Sequence, residues 1–204
     1  MVLSQNFFNR PTLAVARGLL GKKIVRRQRG KIIRLTIIEV EAYDGPHDRA
    51  SHASRGRTPR TSVMFGEAGR FYVYFTYGMH WLVNVVTGPK EYPAAALLRA
   101  GRYRNPKTGE EIEINGPARL TKFLKIDGKL NGKPAIPETG LWFESGKPVR
   151  RFEISAGKRI GVDYAGPVWA NRHYNFSIKT GINRKKIKKS LNRKVPRSNF
   201  TKPR

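Results

Sequence analysis

The chain contains no cysteine, and only 14 of its 204 residues are acidic, none of them after Asp163. The absence of cysteine excludes disulfides and thiolate metal sites. No segment approaches the roughly 18 consecutive apolar residues of a membrane-spanning helix. The N-terminus also lacks the basic-then-apolar order of a secretory signal. These absences permit a reducing, intracellular compartment, and we expect a protein that does not span a membrane.

Basic residues are in large excess. Lys and Arg together number 41, which gives a formal net charge of +27 and a pI near 11.0. This charge exceeds what solubility requires and favours a polyanionic partner, above all a nucleic-acid backbone. From Lys179 the chain consists mainly of Lys, Arg, Asn and Ser. The sequence predicts one domain over residues 1–178 and a basic tail over 179–204. Such a tail is typical of a disordered phosphate-binding arm; a merely solubilising tail is the alternative.

Hydrophobic periodicity predicts a mixture of helices and strands with no internal repeat. One helix is expected over residues 13–20 and another over residues 118–126, directly after Pro117. The predicted strands are 22–27, 31–43, 71–76, 81–87, 94–99, 141–144, 152–155, 159–162 and 174–178. The segment between Gly45 and Gly69 is too long for an ordinary connection and is expected to be functional. Its Arg55, Arg57 and Arg60 either contact phosphates or are solvated loop charges.

Along one face of the second predicted strand, 31–43, the residues change from apolar to acidic and phenolic. With a period of two, Glu39, Glu41 and Tyr43 share the face that begins with Leu35 and Ile37. A core strand that runs out into a polar pocket has this pattern. The sequence predicts that Glu41 is partly desolvated there, as a general base requires.

Residues 71–87 are predicted to form a hairpin, with Gly78 taking a positive φ at the turn. Tyr72 and Tyr74 share one face of its first strand, so that either they or the alternate residues line a pocket. Tyr77 and Met79 lie at the predicted tip. Exposure of two large apolar side chains there favours a wedge that inserts between stacked bases.

Three chemistries are compatible with these residues. A metal site has candidate ligands in Glu39, Glu41, His47, Asp48 and His52, but their spacing matches no tight metal signature. A Schiff-base lysine is a second possibility, although no lysine is distinguished from the others. The third is a carboxylate that activates water beside stacked tyrosines. Stacking contributes about 1–3 kcal/mol per base, which offsets the few kcal/mol needed to extrude a base from a duplex. We favour the third, which requires neither metal nor cofactor.

Several motifs, in the same order along the chain, resemble the alkyladenine (3-methyladenine) DNA glycosylase family of the mammalian type. They are N-F-F-N-R-P through A-R-x-L-L-G (6–21), E-V-E-A-Y-x-G-P-x-D-x-A-x-H (39–52), T-P-R (58–60), M-F (64–65), Y-V-Y-x-x-Y-G-M (72–79), L-L-R-A (97–100), N-G-P-A-R-L (115–120) and R-I-G-V (159–162). The resemblance implies an α+β fold: a single compact domain with a curved antiparallel sheet, surrounding helices and a protruding β-hairpin. It also implies a monomeric, DNA-associated repair enzyme that needs no cofactor or metal and acts on duplex DNA containing damaged purines.

The resemblance further implies a role for each of several residues. Glu41 matches the general base that activates water, and Arg99 matches an arginine near that water and the phosphate backbone. The base pocket is expected to consist of Tyr43, His52, Tyr72, Tyr74 and Asn84. Tyr77 and Met79 are expected to enter the duplex. The expected lesions are 3-methyladenine and 7-methylguanine, with hypoxanthine and etheno-adenine as further candidates. The alternatives are a non-catalytic basic nucleic-acid-binding protein and, third, a metal-dependent nuclease.

Overall fold

The computed structural model describes residues 1–178, and the predicted basic tail over 179–204 lies outside them. Within the described part, nine strands form one antiparallel sheet in the order β3-β4-β5-β2-β1-β7. Strand β6 pairs with β5. Strand β9 pairs with the part of β2 that extends past β1, and β8 pairs with β9. The predicted α+β class, a single domain with a curved antiparallel sheet, is confirmed.

The nine strands alternate along the chain with loops and short helices. They are β1 (Lys23–Gln28), β2 (Lys31–Tyr43), β3 (Phe71–Thr76), β4 (His80–Val86), β5 (Ala95–Arg104), β6 (Glu111–Asn115), β7 (Leu141–Glu144), β8 (Ile154–Gly157) and β9 (Asn175–Ile178). The α-helices are α1 (Gln5–Phe8), α2 (Thr12–Leu19), α3 (Pro117–Leu124) and α4 (Gly166–Ala170). None of the helices in this part of the chain is long and apolar enough to cross a membrane.

The main core lies on the side of the sheet that faces α2 and α3. Helix α2 contributes Val15, Ala16 and Leu19, and α3 contributes Leu120 and Leu124. Proline at the first position of α3 suits a helix start, where its missing N–H costs no hydrogen bond. The other side of the sheet is covered by the loops before β3 and after β8. It carries two smaller clusters, around Tyr72 and around Ala50.

Paired irregularities interrupt strands β2 and β5 at the same level. Ile37 pairs with Gly101, Glu39 with Ala100 and Val40 with Leu98, so that Ile38 and Arg99 have no partner across the ladder. An unpaired residue in a strand shifts the alternation of side chains by one position. As a result, Ile37 before the irregularity and Val40 after it both belong to the main core.

This shift corrects the predicted faces of β2. Leu35 and Ile37 were expected to share a face with Glu39, Glu41 and Tyr43. Instead, the core face passes from Leu35 and Ile37 to Val40 and Ala42, and the carboxylates lie on the opposite side of the sheet. A strict period of two cannot anticipate this, because the phase changes at Ile38.

Most predicted elements agree with the structure to within a few residues, but α1 and α4 were not predicted and three further regions differ. The strand predicted at residues 159–162 is wrong: this segment is an irregular loop between β8 and a 3-10 turn at Asp163–Ala165. Strand β5 continues to Arg104, five residues beyond its predicted end, where it pairs with the unpredicted β6. The long loop between β2 and β3 includes two short 3-10 helices, His52–Arg55 and Ser62–Phe65.

Candidate active site

A cavity of about 290 Å³ opens on the side of the sheet opposite the main core. This volume lies at the lower end of the range for small-ligand pockets, about 300–1,000 Å³. Strands β2 to β5, the loop before β3 and residues 160–164 all contribute to its lining. Among the lining side chains are six of the predicted site residues: Tyr43, His52, Tyr72, Tyr74, Asn84 and Arg99. Tyr77, a seventh predicted site residue, lines the cavity as well.

Glu41 lies directly behind the lining of this cavity rather than in it. Its side chain is fully buried, with 0% exposure, and both carboxylate oxygens accept hydrogen bonds. Oε2 accepts from the Tyr43 hydroxyl at 3.0 Å and from Nη1 of Arg99 at 3.1 Å. Oε1 accepts from the backbone amide of Ile160 at 2.8 Å and from Nδ2 of Asn175 at 3.0 Å. The carboxylate is therefore compensated, and three of its four donors belong to cavity-lining residues.

Glu39 is joined to Glu41 through shared donors. Arg99 donates from Nε to Glu39 at 2.9 Å while its Nη1 binds Glu41, and Asn175 Nδ2 donates to Glu39 at 2.8 Å. We call these four residues the carboxylate floor. Arg99 bridges both carboxylates because the β5 irregularity turns it to their side of the sheet. The sequence singled out Glu41 as the partly desolvated carboxylate, and it gave Asn175 no role.

Tyr43 stands between the carboxylate floor and a second buried charge pair. Burial raises the pKa of its hydroxyl well above the ordinary value, and the neighbouring charge of Glu41 raises it further. The phenol therefore stays protonated and donates to Glu41. The guanidinium carbon of Arg159 lies 4.9 Å from the centroid of the Tyr43 ring.

Arg159 and Asp48 form an ion pair in which both side chains are completely buried. Arg159 donates from Nη2 to Asp48 Oδ1 at 2.8 Å, and its Nη1 donates to Asp48 and to the carbonyl of Ala42. Asp48 also accepts from the backbone amides of Asp44 and Ala50. The pair thus connects the end of β2, the following loop and the segment that begins at Ile160. Sequence reasoning missed it, because 111 residues separate the partners.

His52, Tyr72 and Tyr74 form an aromatic cluster on another part of the lining. The His52 ring meets Tyr74 edge-on at 4.8 Å, and the Tyr72 and Tyr74 rings are 5.2 Å apart. Nδ1 of His52 lies 3.0 Å from the Tyr72 hydroxyl. Burial, together with the positive charge of Arg60, lowers the pKa of His52 from 6.5 to about 4. At neutral pH the ring is uncharged, with one donor and one acceptor nitrogen.

Asn84 is nearly inaccessible but borders the cavity. It lies on β4 opposite Tyr72, and its Nδ2 donates to the Tyr72 carbonyl at 3.1 Å. This bond orients the amide so that its oxygen, which accepts no hydrogen bond within residues 1–178, can accept one from a ligand.

The hairpin tip, Tyr77–Met79, projects from the end of β3 and β4. Tyr77 and Gly78 both have positive φ, +51° and +64°, as in the type I′ turn that suits a two-stranded hairpin. Positive φ was predicted for Gly78 but not for Tyr77, where it costs about 1–2 kcal/mol in a residue with a Cβ. Tyr77 is 85% exposed and Met79 67% exposed. Met79 does not line the cavity, whereas Tyr77 does.

The five residues considered as metal ligands are not assembled as a metal site. Asp48 is paired with Arg159, and both Glu39 and Glu41 are paired with Arg99. Within residues 1–178, no group of three or more His, Asp or Glu side chains is arranged to hold a metal ion.

Comparison with protein families gives a match over residues 6–181 to the model of "Methylpurine-DNA glycosylase (MPG)". The match covers most of the chain, including every strand and the whole cavity. The chain belongs to the methylpurine-DNA glycosylase family. Membership accounts for the combination of a basic protein, a buried carboxylate and an aromatic cavity, and it makes the protein a DNA-repair glycosylase with DNA as its substrate.

Individual relatives agree with this assignment. A protein of Methanocella arvoryzae is 46% identical over 178 residues, which span 81% of this chain and 86% of the relative. One of Streptomyces avermitilis is also 46% identical, over 81% of this chain and 84% of the relative. A third, from Anaeromyxobacter dehalogenans, is 42% identical over 88% of this chain and 84% of the relative. All three are named "Putative 3-methyladenine DNA glycosylase".

Proposed function

We propose that the protein excises alkylated purines from duplex DNA and leaves an abasic site, with Glu41 as the base that activates water. The substrates are 3-methyladenine and 7-methylguanine, with hypoxanthine and etheno-adenine as further candidates. The observation that carries the proposal is the position of Glu41. Its carboxylate lies behind the aromatic cavity and shares hydrogen bonds with Tyr43 and Arg99, which line that cavity.

In the proposed reaction the damaged purine leaves the helix and enters the cavity. There it stacks on Tyr43 on one side and on Tyr74 and His52 on the other. Stacking of about 1–3 kcal/mol per aromatic contact offsets the few kcal/mol spent on unstacking the base. The neutral His52 suits this role, because it adds no positive charge next to a cationic alkylpurine. Tyr77, with Met79 beside it, enters the duplex and fills the space that the base vacates.

Hydrolysis requires a water between Glu41 and the sugar. The water oxygen bonds to C1′ while the C1′–N bond breaks, the water proton passes to Glu41, and the bonding electrons leave with the base. A purine alkylated on a ring nitrogen is a cation, so it departs as a neutral base without a general acid. The water must displace one donor from Glu41. We propose that this donor is the Tyr43 hydroxyl, whose side chain the incoming base contacts directly.

The first test uses duplex DNA with one 7-methylguanine, with and without EDTA, followed by alkali. Abasic sites that depend on the lesion and persist in EDTA support the proposal. Direct strand breaks lost in EDTA indicate a nuclease, and tight binding without any chemistry indicates a non-catalytic nucleic-acid-binding protein.

The second test is Glu41→Gln, which keeps the shape of the side chain but removes its basicity. We expect excision to slow by about 10²–10⁴-fold, the usual contribution of general base catalysis, with lesion binding changed only a few-fold. Glu39→Gln is the matched control, because Glu39 shares Arg99 and Asn175 but is partly exposed. Equal losses in the two variants, or normal turnover in Glu41→Gln, would remove Glu41 from the proposed role.

A further inference from the structure

Two tyrosines that line the cavity each carry a guanidinium group on one ring face. The Arg159 guanidinium carbon lies 4.9 Å from the centroid of Tyr43, and that of Arg60 lies 4.9 Å from the centroid of Tyr74. Neither arginine lines the cavity. Because the tyrosines line the cavity and the arginines do not, we expect each guanidinium on the ring face turned away from the cavity, which leaves the inner face available to a base.

The two guanidinium groups differ in charge compensation. Arg159 is paired with Asp48, so the pair adds no net charge to the site. Arg60 is exposed and forms no salt bridge with any residue of the described chain, 1–178. Its charge still acts within the cavity, because it lowers the pKa of His52 and opposes the burial that raises the pKa of Tyr72 and Tyr74.

An aromatic ring attracts cations to both faces through its quadrupole. A cation already held on one face draws electron density from the ring and repels a second cation on the other. Purines alkylated on a ring nitrogen are cations, whereas hypoxanthine and etheno-adenine are neutral. A charge behind Tyr74 therefore weakens stacking of the cationic lesions more than that of the neutral ones.

We propose that Arg60 is a specificity-determining residue, whose charge on the outer face of Tyr74 reduces the preference of the site for cationic over neutral purines. This inference rests on the proposed function. It assigns to one arginine of the long loop an effect that a phosphate contact would not have. A phosphate contact strengthens binding of every lesion alike, whereas a charge behind Tyr74 changes the ratio between lesions.

The test compares Arg60→Gln and Arg57→Gln with the unaltered protein. Arg57 is a matched control: it lies in the same loop, pairs with Glu91 and stacks at 4.4 Å on Phe65, which does not line the cavity. Single-turnover excision is measured on two duplexes that differ only in carrying 7-methylguanine or hypoxanthine. If hypoxanthine is released too slowly to measure, the ratio of dissociation constants in the Glu41→Gln background replaces the ratio of rates.

In Arg60→Gln we expect the ratio of the 7-methylguanine to the hypoxanthine excision rate to rise by about two- to five-fold. This is the change that the free energy of one cation–π contact would produce. Arg57→Gln should leave the ratio unchanged, and Arg60→Lys, which keeps the charge, should return it towards the original value. An unchanged ratio in Arg60→Gln, an equal rise in Arg57→Gln, or a Lys variant that behaves like the Gln variant would each overturn the proposal.

A second measurement separates this proposal from the proposed function. NMR titration of His52 should show a higher pKa in Arg60→Gln than in the unaltered protein and no change in Arg57→Gln. If the protein excises neither lesion, the proposed function fails, while the titration still shows whether Arg60 acts on the cavity. A His52 pKa that is the same in all three proteins would contradict the contact itself.

Discussion

The carboxylate floor and the hairpin tip are held in place in opposite ways. Glu41 depends on donors distant in sequence, since Ile160 and Asn175 lie 119 and 134 residues further along the chain. The hairpin tip depends on a local turn, with positive φ at Tyr77 and Gly78 and almost no burial. The comparison indicates that the position of Glu41 is tied to the global stability of the fold, whereas the position of the exposed hairpin tip is not. Substitutions can test this separation.

The largest effect is expected from Asp48→Asn. This change leaves the buried Arg159 charge without its carboxylate, and removal of one partner of a buried ion pair typically costs about 3–5 kcal/mol. The free energy of unfolding, measured by urea denaturation, should fall by this amount. Glu67→Gln is the control, because it removes an exposed ion pair with Arg70 that contributes no more than about 1 kcal/mol. Similar losses for both variants would contradict a special role for the buried pair.

At the hairpin tip the expected effect is on binding rather than stability. Tyr77→Ala should weaken binding of lesion-containing duplex by about 1–3 kcal/mol if the ring stacks within the helix. The free energy of unfolding should change by less than about 0.5 kcal/mol, because the side chain is 85% exposed. Fluorescence anisotropy and urea denaturation measure the two quantities. Phe152→Ala removes another exposed ring, outside the hairpin and cavity, and should alter neither. A Tyr77→Ala variant with full affinity would make Tyr77 an ordinary surface residue.

The smallest effect concerns His52, which lines the cavity. It tests whether this residue, like the carboxylate floor, contributes to the stability of the fold. The folded protein keeps His52 neutral down to about pH 4, whereas the unfolded chain protonates near 6.5. Between these pH values the unfolded state binds more protons than the folded state. The contribution of His52 to the free energy of unfolding is therefore fully present above pH 6.5 and is lost as the pH decreases towards 4. We expect the free energy of unfolding to fall by about 1–2 kcal/mol over this pH range. This is less than the full pKa shift of His52 would give, because the ring is partly exposed. In His52→Gln, the free energy of unfolding should depend less on pH between pH 4 and 6.5. An unchanged pH dependence would show that another group causes it.

Much of this architecture could be predicted from the sequence where the signal is local. Alternation in residues 71–76 correctly separates Tyr72 and Tyr74 from Phe71 and Val73, and the structure places the first pair at the cavity and the second in the core. Gly78 marks the hairpin turn because a positive φ there costs glycine little. The long loop before β3 was expected to be functional, and it supplies His52 to the cavity.

Other parts of the site depend on contacts that a linear pattern does not record. The shift at Ile38 comes from the pairing of β2 with β5 and reverses the faces assigned by a period of two. Arg159 was assigned to a strand over residues 159–162, yet its side chain is buried against Asp48 in a loop. Asn175 looks like any polar residue at a strand end until β9 is placed beside β2. The roles of Glu41 and Arg99 remain predictions that the proposed kinetic tests address.

The paired irregularities at Ile38 and Arg99 also bear on how such a site could be transplanted. Copying Glu39, Glu41 and Arg99 onto a regular pair of antiparallel strands would not reproduce their arrangement. In a regular ladder, Glu41 would point to the same side as Leu35 and Ile37, and an ionised carboxylate would face the hydrophobic interior. A designer would have to build one supernumerary residue into each strand before choosing any side chain. In this protein, the extra residue in each of the two strands decides which side of the sheet Glu39, Glu41 and Arg99 face.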